Sequence, residues 1–160
     1  MEDYIPYLRK KIGHEPCLTV GLSALAVDPA GRILIEKRRD NGLYCLPGGS
    51  IDYEEKVLDG LKREIKEETG ISLQNAILFM VQSGQRMTLR YPNGDVTSYV
   101  VLTFYCPLDQ GAAIIKPHDE ESTEVFFCPV AELPDEKLFL PGDVLVLQKY
   151  FRKDFSVAVN

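Results

Sequence analysis

Apolar residues fall into short runs separated by turn-forming residues along much of the chain, a pattern typical of β-strands. Residues 18–27 and 32–37 flank the turn signal Asp28-Pro29-Ala30-Gly31, so we expect them to form a hairpin. A second hairpin is predicted where Pro92-Asn93-Gly94-Asp95 joins 86–91 to 97–106. Two further strands are predicted at 75–83 and 123–128, with a polar loop over 107–121, and residues 43–46 lead to a break at Pro47-Gly48-Gly49.

Helical spacing of the apolar positions marks the other ordered segments. Residues 4–12 fit a short helical arm, and 143–155 carry apolar side chains at the spacings of a packed helix. A central helix is predicted from about Glu54 to Thr69, ending at Gly70 as helices often end at glycine. Strands mixed with a central and a terminal helix predict an α/β fold. We expect one domain over 1–160, with an arm at 1–15 and a core at about 16–153.

The composition narrows the class of protein. With 45% apolar and 26% charged residues among 160, the chain has the composition of a globular domain. That excludes a disordered tail, a collagen-like chain and a small protein that depends on disulfides. The net charge of −6 argues against extended DNA or RNA as the main partner, because such binders carry a basic excess. A small anionic ligand held through a metal ion is compatible with this charge.

Targeting signals and cysteine usage predict the compartment. The acidic amino terminus lacks the basic start and apolar stretch of a signal peptide, and no run approaches the roughly 20 apolar residues that cross a bilayer. The cysteines lie far apart without a CxxC pair, which favours reduced, buried thiols over a zinc site or disulfides: Cys17, Cys45, Cys106 and Cys128. These features predict a cytoplasmic protein without a membrane partner.

The predicted central helix carries acidic residues where burial is expected. Its apolar stripe consists of Val57, Leu58, Leu61 and Ile65. At about 100° per residue, Glu68 falls inside this stripe, Glu64 lies at its edge and Glu67 flanks it. Three carboxylates therefore project from the end of the helix, beside the face that meets the sheet.

This placement violates three ordinary preferences. Like charges four residues apart repel by about 0.2–0.5 kcal/mol, and anions near a helix C-terminus oppose the macrodipole by about 0.3–1 kcal/mol each. Partial burial of a carboxylate adds several kcal/mol unless it is paired or bound to metal. A divalent cation would remove all three penalties, and clustered oxygen ligands suit Mg²⁺ rather than zinc or copper. The alternative, a solvated acidic face, would place the glutamates beside Lys62 and Lys66.

Neighbouring residues fit supporting roles. Arg63 can bridge to Glu67 at i,i+4 and hold it in place, although an ordinary surface ion pair is the alternative. Asp52 and Glu55 have the spacing of an aspartate capping box at the start of the helix.

Glycines stand at three points around the predicted acidic cluster. Gly48 and Gly49 allow the backbone to approach a ligand closely and offer a carbonyl oxygen as an extra metal ligand. Gly60 would cost roughly 1 kcal/mol relative to alanine in the middle of a helix. We expect Gly60 to make room for the 48–55 loop to cross, with neutral drift as the alternative.

The spacing of these residues resembles the signature of the Nudix hydrolases. That signature reads glycine, five residues, glutamate, seven residues, then Arg-Glu-aliphatic-x-Glu-Glu-x-Gly-aliphatic, and residues 49–71 match it throughout. The matching residues are Gly49, Glu55, Arg63, Glu64, Ile65, Glu67, Glu68, Gly70 and Ile71. The resemblance implies an α/β/α sandwich with a mixed β-sheet. It also implies Mg²⁺-dependent hydrolysis, with Mn²⁺ as a substitute, of a nucleoside diphosphate linked to another group.

The resemblance also implies roles for particular residues. The metal would be held by Glu64, Glu67 and Glu68, with the Gly48 carbonyl helping. Arg63 and Glu55 would orient the glutamates, while Gly49 and Gly70 would shape the turns around them. Water would attack a phosphorus atom, and its proton would pass to one of four carboxylates: Glu64, Glu120, Glu121 or Glu124.

Substrate contacts are predicted less sharply. Lys37, Arg38 and Arg39 follow a predicted strand near the signature and fit phosphate binding, although such a run is more often a solvated strand end. Tyr91 and Tyr99 fit stacking on a base or, more simply, packing within a hairpin.

Two classes of function compete. The leading hypothesis is a pyrophosphohydrolase acting on a small nucleotide such as ADP-ribose, a nucleotide sugar or a nucleoside triphosphate, with a homodimer as one assembly. The alternative is a catalytically silent, nucleotide-sensing module of the same fold, but such modules usually lose signature carboxylates that this chain keeps. RNA decapping conflicts with the acidic charge balance and with the lack of a basic extension.

Overall fold

The computed structural model describes residues 3–111 and 120–160. Within these ranges the strands are β1 (Cys17–Val27), β2 (Ile33–Arg38), β3 (Tyr44–Cys45), β4 (Gly48–Ser50), β5 (Ile77–Gln82), β6 (Thr88–Arg90), β7 (Val96–Pro107), β8 (Ser122–Cys128) and β9 (Ala158–Val159). The α-helices are α1 (Tyr4–Ile12), α2 (Val57–Thr69) and α3 (Pro141–Phe151). Most of the predicted loop 107–121 lies outside the described residues. Arg86 and Met87, expected in a strand, belong instead to the 3₁₀ turn Gln85–Met87.

The strands form one mixed sheet in the order β3-β2-β1-β7-β5-β9. β1 and β7 run parallel along their length, from Cys17 opposite Thr97 to Val27 opposite Pro107, whereas β1 and β2 are antiparallel. β2 meets β1 only at Val27, so β4 can pair with the middle of β1 from Gly21 to Ser23. This arrangement brings the Gly48–Ser50 segment against the centre of the sheet.

Helices cover both faces of the sheet. Along β1 and β2, alternate side chains point to opposite faces, so Leu22 and Leu34 lie in the core beneath α2. Leu25 and Ile33 lie in the core beneath α3 instead. Because both faces are packed, these strands are almost continuously apolar. The α/β/α sandwich with a mixed sheet, implied by the signature, is confirmed.

The central helix begins later than predicted. Glu54 adopts a φ of 60°, a left-handed conformation that no α-helix contains, and α2 starts at Val57. The predicted capping box is therefore only half formed. The Asp52 N–H donates to Glu55 Oε2 at 2.9 Å, but Asp52 Oδ1 accepts from the Tyr4 N–H at 2.9 Å instead of capping α2. The predicted end is confirmed, since Gly70 is left-handed and its N–H donates to the Lys66 carbonyl.

Other boundaries and burial predictions needed correction. Leu58, assigned to the buried stripe, is 45% exposed, because the buried face of α2 is narrower than predicted and Leu58 lies at its margin. α3 begins at Pro141, whose fixed φ and missing N–H suit a first helical position, and it ends at Phe151. All four cysteines are free thiols, and only Cys17 is not fully buried. In the two described ranges no helix is long and apolar enough for a membrane span.

Candidate active site

Close packing around α2 leaves no room for a side chain at Gly49 or at Gly60. A Cβ atom added to Gly49, on β4, would overlap the carboxyl group of Glu64. A Cβ atom on Gly60 would lie 2.7 Å from Glu55 Oε2 and 3.0 Å from Leu22 Cδ1. Gly60 therefore makes room for the incoming loop, as the sequence predicted.

Arg63 is the centre of the ion-pair network on α2. Its Nε and Nη2 donate to the two carboxylate oxygens of Glu55 at 2.8 and 2.9 Å. Its Nη1 donates to Glu64 Oε1 at 2.9 Å and to Glu67 Oε2 at 3.2 Å. The predicted pairing of Arg63 with Glu67 is present, but it is one contact among several. A guanidinium fork can make these contacts together, whereas a lysine cannot.

The three clustered glutamates differ in burial in the order that the helical wheel predicts. Glu68 is only 6% exposed, and its Oε2 accepts from the Gly48 N–H at 2.8 Å. The side chain of Glu64 is 17% exposed and that of Glu67 is 60% exposed. Residues 3–111 and 120–160 contain no three acidic, histidine or cysteine side chains gathered as a ready-made cation site. Each glutamate is instead engaged by Arg63 or by the β4 backbone.

The electrostatics single out Glu64. Burial raises the pKa of Glu64 to about 7, against the opposing effect of Arg63, and the nearby charges of Glu67 and Glu121 raise it further. By contrast, the hydrogen bonds from Arg63 hold the pKa of Glu55 below its usual value. Glu64 is thus a carboxylate whose negative charge the protein alone stabilises poorly.

A cleft of about 910 Å³ opens beside these residues. Its walls include β4 and the acidic end of α2, the segment after β2, the β6–β7 hairpin and the start of α3. Such a volume is within the range of sites that hold small organic ligands.

A family model described as the NUDIX domain matches residues 18–150. The chain belongs to the Nudix family. An "ADP-ribose pyrophosphatase" of Methanocaldococcus jannaschii is 34% identical over 104 residues, which is 63% of this chain and 57% of that protein. The chain spans between about a third and three fifths of the length of the curated relatives it matches.

Solved structures place the fold in the same family. A "MutT NUDIX hydrolase" from Burkholderia pseudomallei superposes with a TM-score of 0.66 at 27% identity, covering 84% of this chain and 97% of that one. A MutT protein from Methanosarcina mazei gives a TM-score of 0.69 at 20% identity, covering 89% and 99%. The second likeness concerns the fold alone.

The Nudix domain brings only part of the predicted phosphate-binding run to the cleft. Arg38 and Arg39 line it, but Lys37 does not. Because alternate residues of a strand point to opposite faces, Lys37 lies 3.7 Å from Glu124 and over the Tyr44 ring. Lys37 therefore lies outside the cleft that Arg38 and Arg39 line. Glu124, in that pair on β8, also lies outside the residues that line the cleft.

The remaining predicted carboxylates reach the site of the Nudix domain. Glu120 and Glu121 are exposed, and both line the cleft. Tyr91 and Tyr99 pack together within the hairpin, where their hydroxyls lie 2.9 Å apart, and both line the cleft. Their stacking on a base stays a prediction.

Two features of the cleft in this Nudix domain were missed in the sequence. Asp143, at the start of α3, lines the cleft and accepts from the Leu46 N–H at 3.0 Å, and burial raises its pKa to about 7. Helix α1 contributes Ile5 and Pro6 to the wall. Arg9 anchors it by donating to the Val96 carbonyl at 2.9 Å and to Thr97 Oγ1 at 2.8 Å. These contacts join distant segments, so local sequence patterns gave no signal for them.

Proposed function

We propose that this chain hydrolyses a pyrophosphate bond in a nucleoside diphosphate derivative. The observation that carries the proposal is the intact Nudix signature folded around Arg63 at the edge of a ligand-sized cleft. The similarity to a protein named as an ADP-ribose pyrophosphatase supports the same substrate class. ADP-ribose, a nucleotide sugar and a nucleoside triphosphate are the candidate substrates.

The residues present fit a divalent cation. The donors are all oxygen atoms, and burial disfavours the charge of Glu64 until a cation compensates it. We propose that Glu64, Glu67 and Glu68 hold Mg²⁺, or Mn²⁺ in its place, together with the Gly48 carbonyl. When bound, the cation would stabilise charge on phosphate oxygens and acidify a coordinated water.

The chain itself would supply positioning and proton transfer. Glu55 fixes the guanidinium of Arg63, and Arg63 in turn fixes Glu64 and Glu67, so Arg63 is a positioning residue. Water would attack one phosphorus atom, the P–O bond to the bridging oxygen would break, and a carboxylate would take the water proton. We propose Glu64 for that last role, with Glu120 and Glu121 as the other carboxylates of the cleft that stand as candidates.

Substrate binding would use the opposite side of the cleft. Arg38 lines the cleft, and Asp40 holds its guanidinium through bonds of 2.9 and 2.7 Å. We propose that Arg38 contacts phosphate oxygens. The tyrosine pair on the β6–β7 hairpin offers a flat apolar surface for a base or sugar.

A product screen tests the proposal. The chain is incubated with ADP-ribose, nucleotide sugars and nucleoside triphosphates in Mg²⁺, with and without a chelator, and products are separated by chromatography. Chelator-sensitive release of nucleoside monophosphate supports the hydrolase. Tight binding of a nucleotide without turnover would favour the sensing module. The absence of both binding and turnover would contradict the hydrolase and the sensing module alike.

A further inference from the structure

Arg39, predicted as a phosphate ligand, uses its side chain on the protein's own backbone. Its Nε donates to the Glu120 carbonyl at 2.7 Å, and its Nη2 donates to the Ser122 carbonyl at 3.4 Å. Its backbone N–H donates to the Glu121 carbonyl at 2.8 Å. One residue thus holds three consecutive carbonyl groups at the start of β8.

The strand pairing explains why this segment needs a clamp. The ladder between β2 and β8 shifts register between Lys37 and Arg38 and then ends with Arg38 opposite Ser122. Glu120 and Glu121 therefore lie just beyond the regular pairing of β2 with β8. Ser122 is 3% exposed and anchors one end, while Glu120 and Glu121 are exposed. The contacts from Arg39 replace the lost ladder.

The segment that Arg39 holds, Glu120–Ser122, carries two acidic side chains that lie in the same cleft as the acidic end of α2. Glu120 and Glu121 line the same cleft as Glu64 and Glu67, and the negative charge of Glu121 acts on Glu64. The Arg39 guanidinium fixes the backbone that carries Glu120 and Glu121 at this cleft through directed hydrogen bonds to the Glu120 and Ser122 carbonyls.

We propose that Arg39 is a positioning residue that holds the Glu120–Ser122 segment at the cleft, so that Glu121 faces Glu64. The inference rests on the proposed hydrolase function for its kinetic consequence, but the clamp itself does not depend on catalysis. A positioning role predicts loss of turnover with substrate affinity retained. A phosphate contact predicts the opposite, namely weaker substrate binding.

The first measurement is amide hydrogen exchange of the peptide that contains residues 120–125 in wild type, Arg39→Ala and Arg90→Ala. Arg90 is the matched control, since its loss removes the same guanidinium charge at an exposed position of β6 that does not line the cleft. We expect faster exchange in Arg39→Ala alone. Unchanged exchange in Arg39→Ala would overturn the clamp whether or not the chain hydrolyses nucleotides.

The second measurement is a double-mutant cycle on the substrate that the product screen identifies, using Arg39→Ala, Glu121→Gln and the double variant. If Arg39 acts through Glu121, we expect Arg39→Ala to lower kcat about 10- to 100-fold while KM stays nearly constant. The double variant should then match Glu121→Gln within about two-fold. Arg39→Lys should fail to restore kcat, because an ammonium group lacks the planar fork.

Two kinetic results would overturn the proposal. One is an equal loss from Arg39→Ala in the wild-type chain and in the Glu121→Gln variant, since independent effects add. The other is a rise in KM without a fall in kcat. An inactive wild type would instead refute the proposed function, and the exchange measurement would still decide the clamp.

Discussion

Arg63 grips Glu55 through two parallel hydrogen bonds of 2.8 and 2.9 Å, and the remaining nitrogen of the same guanidinium reaches Glu64 at 2.9 Å. Glu55 thus determines where Arg63 lies, and Arg63 determines where Glu64 points. We call these contacts, from Glu55 to Arg63 and from Arg63 to Glu64, the Arg63 relay. Glu55 belongs to the loop before α2, and this loop crosses the helix at Gly60.

The first prediction concerns this relay. Arg63→Lys keeps the charge but not the fork, so Glu55 and Glu64 cannot both be held. We expect kcat to fall by about 10- to 100-fold, as for other residues that orient ligands, with little change in melting temperature. Steady-state kinetics and thermal unfolding measure the two effects. Full activity in Arg63→Lys would mean that the fork is not needed.

The second prediction concerns Gly60. Glycine to alanine in the middle of a helix normally stabilises by about 1 kcal/mol. Here the added methyl group would meet Glu55 Oε2 at 2.7 Å and Leu22 Cδ1 at 3.0 Å. We therefore expect Gly60→Ala to lower the free energy of unfolding in urea and to reduce kcat. Asp59→Ala, at the exposed neighbouring position on α2, is the control and should be neutral or stabilising. A stabilised and fully active Gly60→Ala would refute the close packing.

The third prediction is a pH dependence of stability. Burial raises the pKa of Asp143 to about 7 in the folded chain. Between its usual pKa and this value, the folded protein keeps a proton that the unfolded chain has released. Raising the pH through this window therefore destabilises the fold, by up to about 1.4 kcal/mol per pH unit. The effect is complete above the folded pKa.

Asp143→Asn tests this dependence. The amide oxygen can still accept from the Leu46 N–H, but the side chain no longer titrates. We measure the free energy of unfolding in urea for both proteins between about pH 5 and pH 8, a range that spans the folded pKa of Asp143. We expect the free energy of Asp143→Asn relative to wild type to rise across this range. The same difference at both pH values would show that Asp143 does not titrate on folding.

The fourth prediction concerns helix α1. Arg9 is 13% exposed at its side chain and ties the helix to β7, while no residue of α1 is fully buried. We expect Arg9→Met to release α1 while the sheet remains folded, seen as faster proteolysis within 4–12. Lys11→Met, at an exposed position whose ammonium lies over the Tyr7 ring of the same helix, should leave the rate of cleavage by a protease that does not cut at basic residues unchanged. Equal protection in Arg9→Met would mean that other contacts hold the helix.

The features of α2 that depend on neighbouring residues in the chain could be predicted from the sequence. The end of α2 at Gly70 and the burial order of Glu68, Glu64 and Glu67 follow from helical periodicity and were right. The start of α2 was wrong because the Tyr4 N–H occupies Asp52, a contact between residues far apart in the chain.

The surroundings of the site depended on long-range contacts in the same way. Lys37 turns away from the cleft toward Glu124, and the Arg39 fork binds carbonyls beside Glu121. Nothing in the local pattern distinguishes these basic residues from Arg38, which lines the cleft with its guanidinium held by Asp40. Asp143 enters the site because the start of α3 meets the segment between β3 and β4, where Asp143 accepts from the Leu46 N–H.

The central claim is that the acidic end of α2 binds a divalent cation, and calorimetric titration with Mg²⁺ or Mn²⁺ tests it most directly. Glu67→Gln and Glu68→Gln are compared with Glu132→Gln, an exposed control outside the residues that line the cleft. We expect wild type and Glu132→Gln to bind the cation equally, and both α2 variants to bind at least about ten-fold more weakly. Unweakened binding in Glu67→Gln and Glu68→Gln would contradict the account.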